Sequence, residues 1–525
     1  MYKGKIKLYQ RHHLHRLVNI QKSYETLYDL SKLNKAEQNI LEAFSVFPYI
    51  PLATETCNEW LLSDAGASEE DDILTGLYRK GWLQFDMEHE SYSLHPVFAK
   101  FIYEKCKPGA ETHHGLIEAC QEYLEIPESG SVLECQKYIP FAESIAEKTC
   151  IDIDEERVQF IDRIAFLLQY IGKYSKSEKL YNRSLCISEK VFGKKHLGIA
   201  ISYNNLACIC EKQGKYNKAE ELYEKSLYIS EKVLGEENSF TVAIYNNLAY
   251  IYERQGKYNK AEELYKKCLC ISGKVLGEED SFTIIICNNL AYIYERQGKY
   301  SKAEELYKNS LHIREEVSGK EHPDTATSYN NLASLYERQG EYSKAEELYK
   351  DSLRIREKVL GEKHPDTTTS YNNLAALYNR LGMYNKAERL YKKALQIKED
   401  VLGEEHPNTA ISYNNLASLY EMQGKYNEAE ELYKKDLYIS EKVLGKEHPD
   451  TAISYNNLAG LYESQRKYKI SLNYYYKSYK ICIYKLGSNH PNTQTVYDNM
   501  EMTYFEYNPE GDFKQWLEEK MKETE

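Results

Sequence analysis

Residues 329–349 read YNNLASLYERQGEYSKAEELY. Tyr329, Leu332, Ala333 and Tyr336 fall at i, i+3, i+4 and i+7, which places one apolar stripe along an α-helix. Gly340 ends that helix, because glycine takes the left-handed conformation that follows a last turn without steric penalty. Ala345, Leu348, Tyr349 and Ser352 repeat the spacing on a second helix. Gly361 closes it and His364-Pro365-Asp366 opens the next one; proline suits a first helical turn, where its missing N–H would have no partner. The stretch predicts two antiparallel helices of four to five turns. Neither buries its stripe alone, so the core is completed by stacking on further copies.

The copies are present. Asn-Asn-Leu-Ala starts at Asn204, Asn246, Asn288, Asn330, Asn372, Asn414 and Asn456, in steps of 42 residues. A glycine follows each time, from Gly214 to Gly424; Gly172 fits one repeat earlier, and Arg466 takes the place in the last. A fixed period of this length marks a repeat array, which escapes the size limit of a single core in a chain of 525 residues. The expectation is a mainly α chain, an α-solenoid of about eight repeats over residues 157–492, then a closing helix around Val496–Phe505 within a cap and tail, 493–525. Ala333 and Ala345 recur as Ala207/Ala219, Ala249/Ala261, Ala291/Ala303, Ala375/Ala387 and Ala417/Ala429. They mark a close helix crossing, where a larger side chain costs roughly 1–3 kcal/mol.

The run Tyr-x-x-Leu-Ala-x-x-Tyr-x-x-x-Gly-x-Tyr-x-x-Ala-x-x-x-Tyr of Tyr329–Tyr349 resembles the tetratricopeptide repeat position by position. The repeat length and the Asn-Asn-Leu-Ala tetrad resemble the subgroup found in kinesin light chains. Cys287, Gly273, Asn238-Ser239 and Asp280-Ser281 depart from the pattern locally. The resemblance implies a right-handed stack whose first helices line a concave groove, and a protein or extended peptide as partner. It also implies that the second asparagine of each tetrad bonds the ligand backbone: Asn205, Asn247, Asn289, Asn331, Asn373, Asn415 and Asn457. An amide both donates and accepts, so it grips a peptide unit without reading its side chain. The alternative for this row is bonding between repeats, which is the expected role of the first asparagine.

Three positions after that asparagine stand Cys208, Tyr250, Tyr292, Ser334, Ala376, Ser418 and Gly460. Seven after it stand Lys212, Arg254, Arg296, Arg338, Arg380, Met422 and Ser464. Five consecutive cations in a chain of net charge −13 point to an acidic peptide, with Tyr250 and Tyr292 stacking on it. The opposing reading is that Glu211, Glu253, Glu295 and Glu337, one residue earlier, neutralise the row.

Before residue 150 the period is absent. Residues 1–29 carry Lys3, Lys5, Lys7, Arg11, Arg16 and Lys22, either the solvated face of a leading helix or an arm for an anionic surface. Residues 30–105 predict helices near Ala36–Phe47, Glu55–Leu62 and Asp71–Lys80, then a β-hairpin formed by Gly81–Phe85 and Tyr92–Leu94. That order, with Leu77–Trp82 and Tyr92-Ser93-Leu94-His95-Pro96, resembles the winged helix of NB-ARC-type signalling NTPases. The resemblance would make His95 a nucleotide contact; the alternative is a helix-capping or core histidine. Residues 106–156 form a helical connector, with a loop at Pro127–Ser131.

Several functions are disfavoured. No Gly-x-x-x-x-Gly-Lys-Ser/Thr loop occurs, so ATP hydrolysis is not expected. No nucleophile–base–orienter set appears, so no enzyme and no cofactor are expected. His322, His364, His406, His448 and His490 come one per repeat, with stacked helices about 10 Å apart, so they read as loop caps and not metal ligands. The twelve cysteines show no disulfide framework. In the pairs Cys208/Cys210 and Cys268/Cys270 the two side chains point to different faces of a helix. The acidic balance argues against nucleic acid, and the lack of a long apolar run argues against the membrane. A cytoplasmic location follows. Three readings remain: an interaction scaffold, the sensor and relay half of an NB-ARC-type system whose NTPase domain is missing or lies on another chain, and a DNA regulator, which the charge disfavours.

Overall fold

The computed structural model describes residues 29–61, 70–106, 108, 110–124, 136–148 and 155–522. The basic stretch of residues 1–28 and the Pro127–Ser131 loop lie outside them. Contacts divide the described chain into an N-terminal portion up to Ile164 and a repeat portion from Ala165 onward.

The N-terminal portion runs α1 (Lys35–Val46), β1 (Leu52–Ala53), α2 (Thr54–Leu61), α3 (Glu70–Arg79), β2 (Gln84–Asp86), β3 (Ser91–Ser93), α4 (Pro96–Cys106), α5 (Ala110–Glu122) and α6 (Ile139–Lys148). Asn34 and Glu37 form a reciprocal capping box that starts α1. The expected hairpin is there, with Phe85 opposite Tyr92. A third strand, β1, pairs Leu52 with Tyr92 on the other side, giving the antiparallel order β1-β3-β2. Two residues are too few to show alternation in sequence, so β1 was not anticipated. Phe47 anchors the core, edge-on to Phe44, Trp60 and Phe141 at 5.5–5.9 Å. His95 is exposed, and its Nδ1 accepts a bond from the Val97 N–H at the start of α4 (3.3 Å).

The repeat portion is a helical solenoid. First helices are Leu197–Lys212, Ser239–Arg254, Ser281–Arg296, Pro323–Arg338, Pro365–Arg380, Pro407–Met422 and Pro449–Ser464. Second helices run from Tyr174–Phe192 to Tyr468–Lys485 at the same period, and Pro491–Tyr507 and Phe513–Lys522 close the stack. The paired alanines are all fully buried at the helix crossings. Gly340 sits at φ +81°, and behind it the Glu341 N–H bonds back to the Tyr336 carbonyl, closing the first helix. Arg466 adopts the same left-handed conformation, φ +58°, without glycine's freedom.

Each repeat opens on an N-cap. The Nδ1 atoms of His322, His364, His406, His448 and His490 accept the N–H two residues on, at 2.9–3.2 Å. Asn238 and Asp280 do the same with a carbonyl or carboxylate oxygen, both at 2.9 Å. The departures from His-Pro therefore keep the cap and change only its chemistry.

From Pro323 on, successive first helices touch one another while successive second helices lie farther apart. The stack therefore curves with its first helices inside. The curvature is strong enough to bring the solenoid back onto itself, which the sequence reading did not anticipate. His406 Nε2 meets the Tyr170 carbonyl (2.9 Å), His448 the Lys212 carbonyl (3.1 Å) and His490 the Arg254 carbonyl (3.3 Å). Each pair is 236 residues apart. Pro407 and Val443 cover Gly172, Pro449 covers Gly214, and His490 covers Gly256.

Candidate peptide-binding groove and the seam between turns

The second asparagine of every tetrad is half-buried on the first-helix face. In four tetrads its amide reaches the preceding repeat. Asn247 Nδ2 donates to Asn204 Oδ1 (3.2 Å), Asn289 to Asn246 (3.0 Å), Asn373 to Asn330 (2.9 Å) and Asn457 to Asn414 (2.8 Å). Asn499 extends the ladder to Asn456 in the closing helix (3.2 Å). The donor half of these amides is thus engaged between repeats. The Oδ1 atoms of Asn247, Asn289 and Asn373 take no bond among the described residues, so the acceptor half is what this row presents. Asn205, Asn331 and Asn415 share its phase and burial.

The cationic row is partnered throughout. Arg338 Nε lies 2.5 Å from Glu295 and Arg380 Nε 3.1 Å from Glu337, each across one repeat boundary. Lys212 lies 3.5 Å from Glu211. Arg296 donates to the Tyr258 hydroxyl (3.1 Å). Arg254 donates to the Tyr216 hydroxyl (2.7 Å) and pairs with Asp450 of the next superhelical turn (3.1 Å).

The carboxylates beneath the row are weakened as anions. Burial pushes Glu253 up to about 7, against the attraction of Arg254 and Arg296. Burial likewise raises Glu211 and Glu295. Glu253 is therefore a weaker counter-charge than an exposed glutamate, and the row above it keeps more positive charge than a count of residues suggests.

Tyr250 and Tyr292 are half-buried. Tyr250 lines a cavity of 450 Å³ in the seam between turns, with Tyr174, Tyr216 and Arg254 on one side and Asp436 and Ile453 on the other. Asp436 stands where Ser184, Ser226, Ser310, Ser352 and Ser478 occupy other repeats. It is 5% exposed, and burial pushes its carboxyl up to about 7 despite bonds from Ser454 and Ser440.

One further row escaped the sequence reading. Ile201, Ile285, Ile411 and Ile453 are 39–53% exposed, each four residues before the second asparagine and so one turn back on the same stripe. Extending the stripe N-terminally by i−4 would have found them. Among the described residues no cluster of three or more His, Cys, Asp or Glu could hold a metal, and no helix is long and apolar enough to cross a membrane.

The sequence profile of the tetratricopeptide repeat matches residues 158–227, 210–272, 282–358, 344–400, 366–435 and 437–483, more than half of the chain. The chain belongs to the tetratricopeptide repeat family. Among solved structures it is similar to BtubC (BKLC) from P. vanneervenii, at 28% identity over 44% of this chain and 91% of that one, with a TM-score of 0.35. A putative kinesin light chain with nearly identical repeats from Podosopora anserina is also 28% identical, over 39% and 97%, with a TM-score of 0.33. A signal transduction ATPase with numerous domains and a tetratricopeptide repeat sensor, from Pyrococcus horikoshii, is 17% identical over 90% and 66%, with a TM-score of 0.45. No curated protein matches.

Proposed function

We propose that this chain is a non-catalytic scaffold that holds an extended segment of a partner protein along its first-helix face. The family is one of interaction scaffolds in general; the groove is this chain's particular case. The observation that carries the reading is a first-helix face that presents a half-buried asparagine in every tetrad, cations from Lys212 to Arg380 and exposed isoleucines at Ile201, Ile285, Ile411 and Ile453, all at a constant phase. An amide oxygen accepts a backbone N–H, an isoleucine takes an apolar side chain, and an arginine takes a carboxylate. A preference for acidic segments rests on Arg296, Arg338 and Arg380. An incoming carboxylate competes with Glu295 and Glu337 for the last two, and the raised Glu295 is a weaker competitor than an exposed glutamate. Burial pushes the thiols of Cys57, Cys120 and Cys268 up to about 12, which keeps them protonated and unreactive.

A displayed library of random unstructured peptides, panned on the full chain, tests this. The expected outcome is enrichment of Asp and Glu, reversed in a chain carrying Arg296→Glu and Arg338→Glu. Binders without acidic enrichment refute the charge argument, and the absence of any binder refutes the groove. The second reading, sensor and relay for an NB-ARC-type NTPase, draws on the N-terminal order α1-β1-α2-α3-β2-β3-α4, which we read as resembling a winged helix. Co-purification with a P-loop protein of the same cell would favour it.

A further inference from the structure

The cavity of 450 Å³ in the seam has walls from two superhelical turns. One turn supplies three tyrosines. Tyr174 and Tyr216 open second helices one repeat apart, and Tyr250 stands on the first helix that follows. The other turn supplies Ile411 and Ile453 from two first helices and, from the second helix between them (Tyr426–Val443), Asp436. A concave space of this size, mostly apolar with a few polar groups to fix orientation, suits a small organic molecule.

The charges along these walls are matched, with one exception. Arg254 pairs with Asp450 (3.1 Å) and Lys212 with Glu211 (3.5 Å), and His448 Nε2 is held by the Lys212 carbonyl. Asp436 has no cation beside it among the described residues; its carboxyl takes bonds from the hydroxyls of Ser440 and Ser454. The aspartate also inverts the chemistry of its position. Ser226 and Ser478, its equivalents, donate to the carbonyls of Ala200 and Ala452. An ionised carboxylate has no proton to give, so Asp436 cannot do the same for Ala410, which also lines the cavity. A buried carboxylate without a counter-charge is costly, and here the missing counter-charge has room to enter.

We propose that the seam cavity is a binding site for a small organic cation, with a primary ammonium group set on Asp436 and an apolar body against Tyr250, Ile411 and Ile453. An ammonium donates up to three hydrogen bonds and accepts none, so it answers an acceptor-only carboxylate where other repeats hold a hydroxyl donor. The tyrosines add the attraction of an aromatic ring for a cation. The isoleucines offer nothing to a hydrated metal ion and favour an organic one. Because the walls come from two turns, the occupant bridges the seam, and its binding draws the superhelix towards the closed state.

Calorimetric titration of the full chain at pH 8, above the raised value of Asp436, tests this with three probes of similar shape. Phenethylamine is a cation there, 2-phenylethanol is neutral and phenylacetate is an anion. Phenethylamine should bind at least about tenfold more tightly than 2-phenylethanol, the difference between a charged and a neutral hydrogen bond, and phenylacetate should not bind. Asp436→Ser installs the residue that five other repeats carry, and it should erase the preference for the amine over the alcohol. Bound phenethylamine should also slow amide exchange around His448 in the unmodified chain. Equal binding of amine and alcohol overturns the proposal, as does a preference that survives Asp436→Ser. So does the absence of phenethylamine binding at millimolar concentration, or protection that appears elsewhere and not at the seam. The comparison of probes needs no variant, so it decides even if Asp436→Ser disturbs the fold.

Discussion

Replacing Gly214 by alanine separates closure of the superhelix from the folding of a repeat. Gly214 and Gly340 hold equivalent positions, at φ +66° and +81°. A Cβ at either carries the left-handed penalty, about 1–2 kcal/mol. At Gly340 the new methyl meets nothing within 4 Å, while at Gly214 it collides with Pro449. Such overpacking costs roughly 1–3 kcal/mol when neighbours cannot move. Pro449 can move, by letting the turns part. Parting at that point gives up the His448 bond to the Lys212 carbonyl, about 1 kcal/mol, and the Arg254–Asp450 pair, about 0–1 kcal/mol because both partners are one-third or more exposed. The two costs are comparable, so Gly214→Ala should open the seam. Small-angle scattering should show a larger radius of gyration for Gly214→Ala than for Gly340→Ala, and amides around His448 should exchange faster in the former alone. Equal scattering and equal exchange in the two variants would refute the closed turn.

The seam should also loosen in acid. Burial lowers His406, His448 and His490 below their ordinary 6.5, so the opened state takes up protons more readily than the closed one. The stabilisation is complete above pH 6.5 and is lost as pH falls below it. Protection factors, which are exchange rates corrected for the intrinsic base catalysis of amide exchange, should be lower at the seam at pH 5.5 than at 7.5, and pH-independent protection there would count against these contacts. Asp436 works in the opposite sense. Its folded value near 7 exceeds the unfolded 3.8, so its burial destabilises increasingly as pH rises from about 4 to 7. Asp436→Ser should raise the unfolding free energy at pH 7 by up to about 4 kcal/mol and do little at pH 4; denaturant titrations at the two pH values check this. Arg466→Gly should relieve the left-handed backbone and stabilise by about 1 kcal/mol, read as a higher Tm; a lower Tm would mean that the Arg466 side chain contributes more than its backbone costs.

The repeat was legible because it is local. Stripe, glycine and cap each fall within one turn of their partners, the paired alanines lie across a single loop, and each is repeated often enough to outweigh Cys287, Asn238 or Arg466. The donor half of the asparagine row was harder to read. Asn247 and Asn204 are 43 residues apart, and only the rotation between repeats decides that an amide on the inner face reaches its neighbour and not solvent. The partners of the cations were half legible. Glu295 and Glu337 were named as neutralisers, but Tyr216 and Tyr258 sit on second helices, where a one-helix reading does not look. Superhelical closure has no local signature. It accumulates from small rotations over more than five repeats, so nothing near His448 announces the Lys212 carbonyl.

In an open solenoid each repeat leans only on those beside it, and the end repeats unzip first. Here Pro449–Ser464 rests on its sequence neighbours and also on the repeat whose first helix ends at Lys212. Fraying from the C-terminus must therefore break a side contact along with each stacking contact, and loss of an early repeat removes the support of a late one. Cooperativity in this array runs around the cylinder as well as along it.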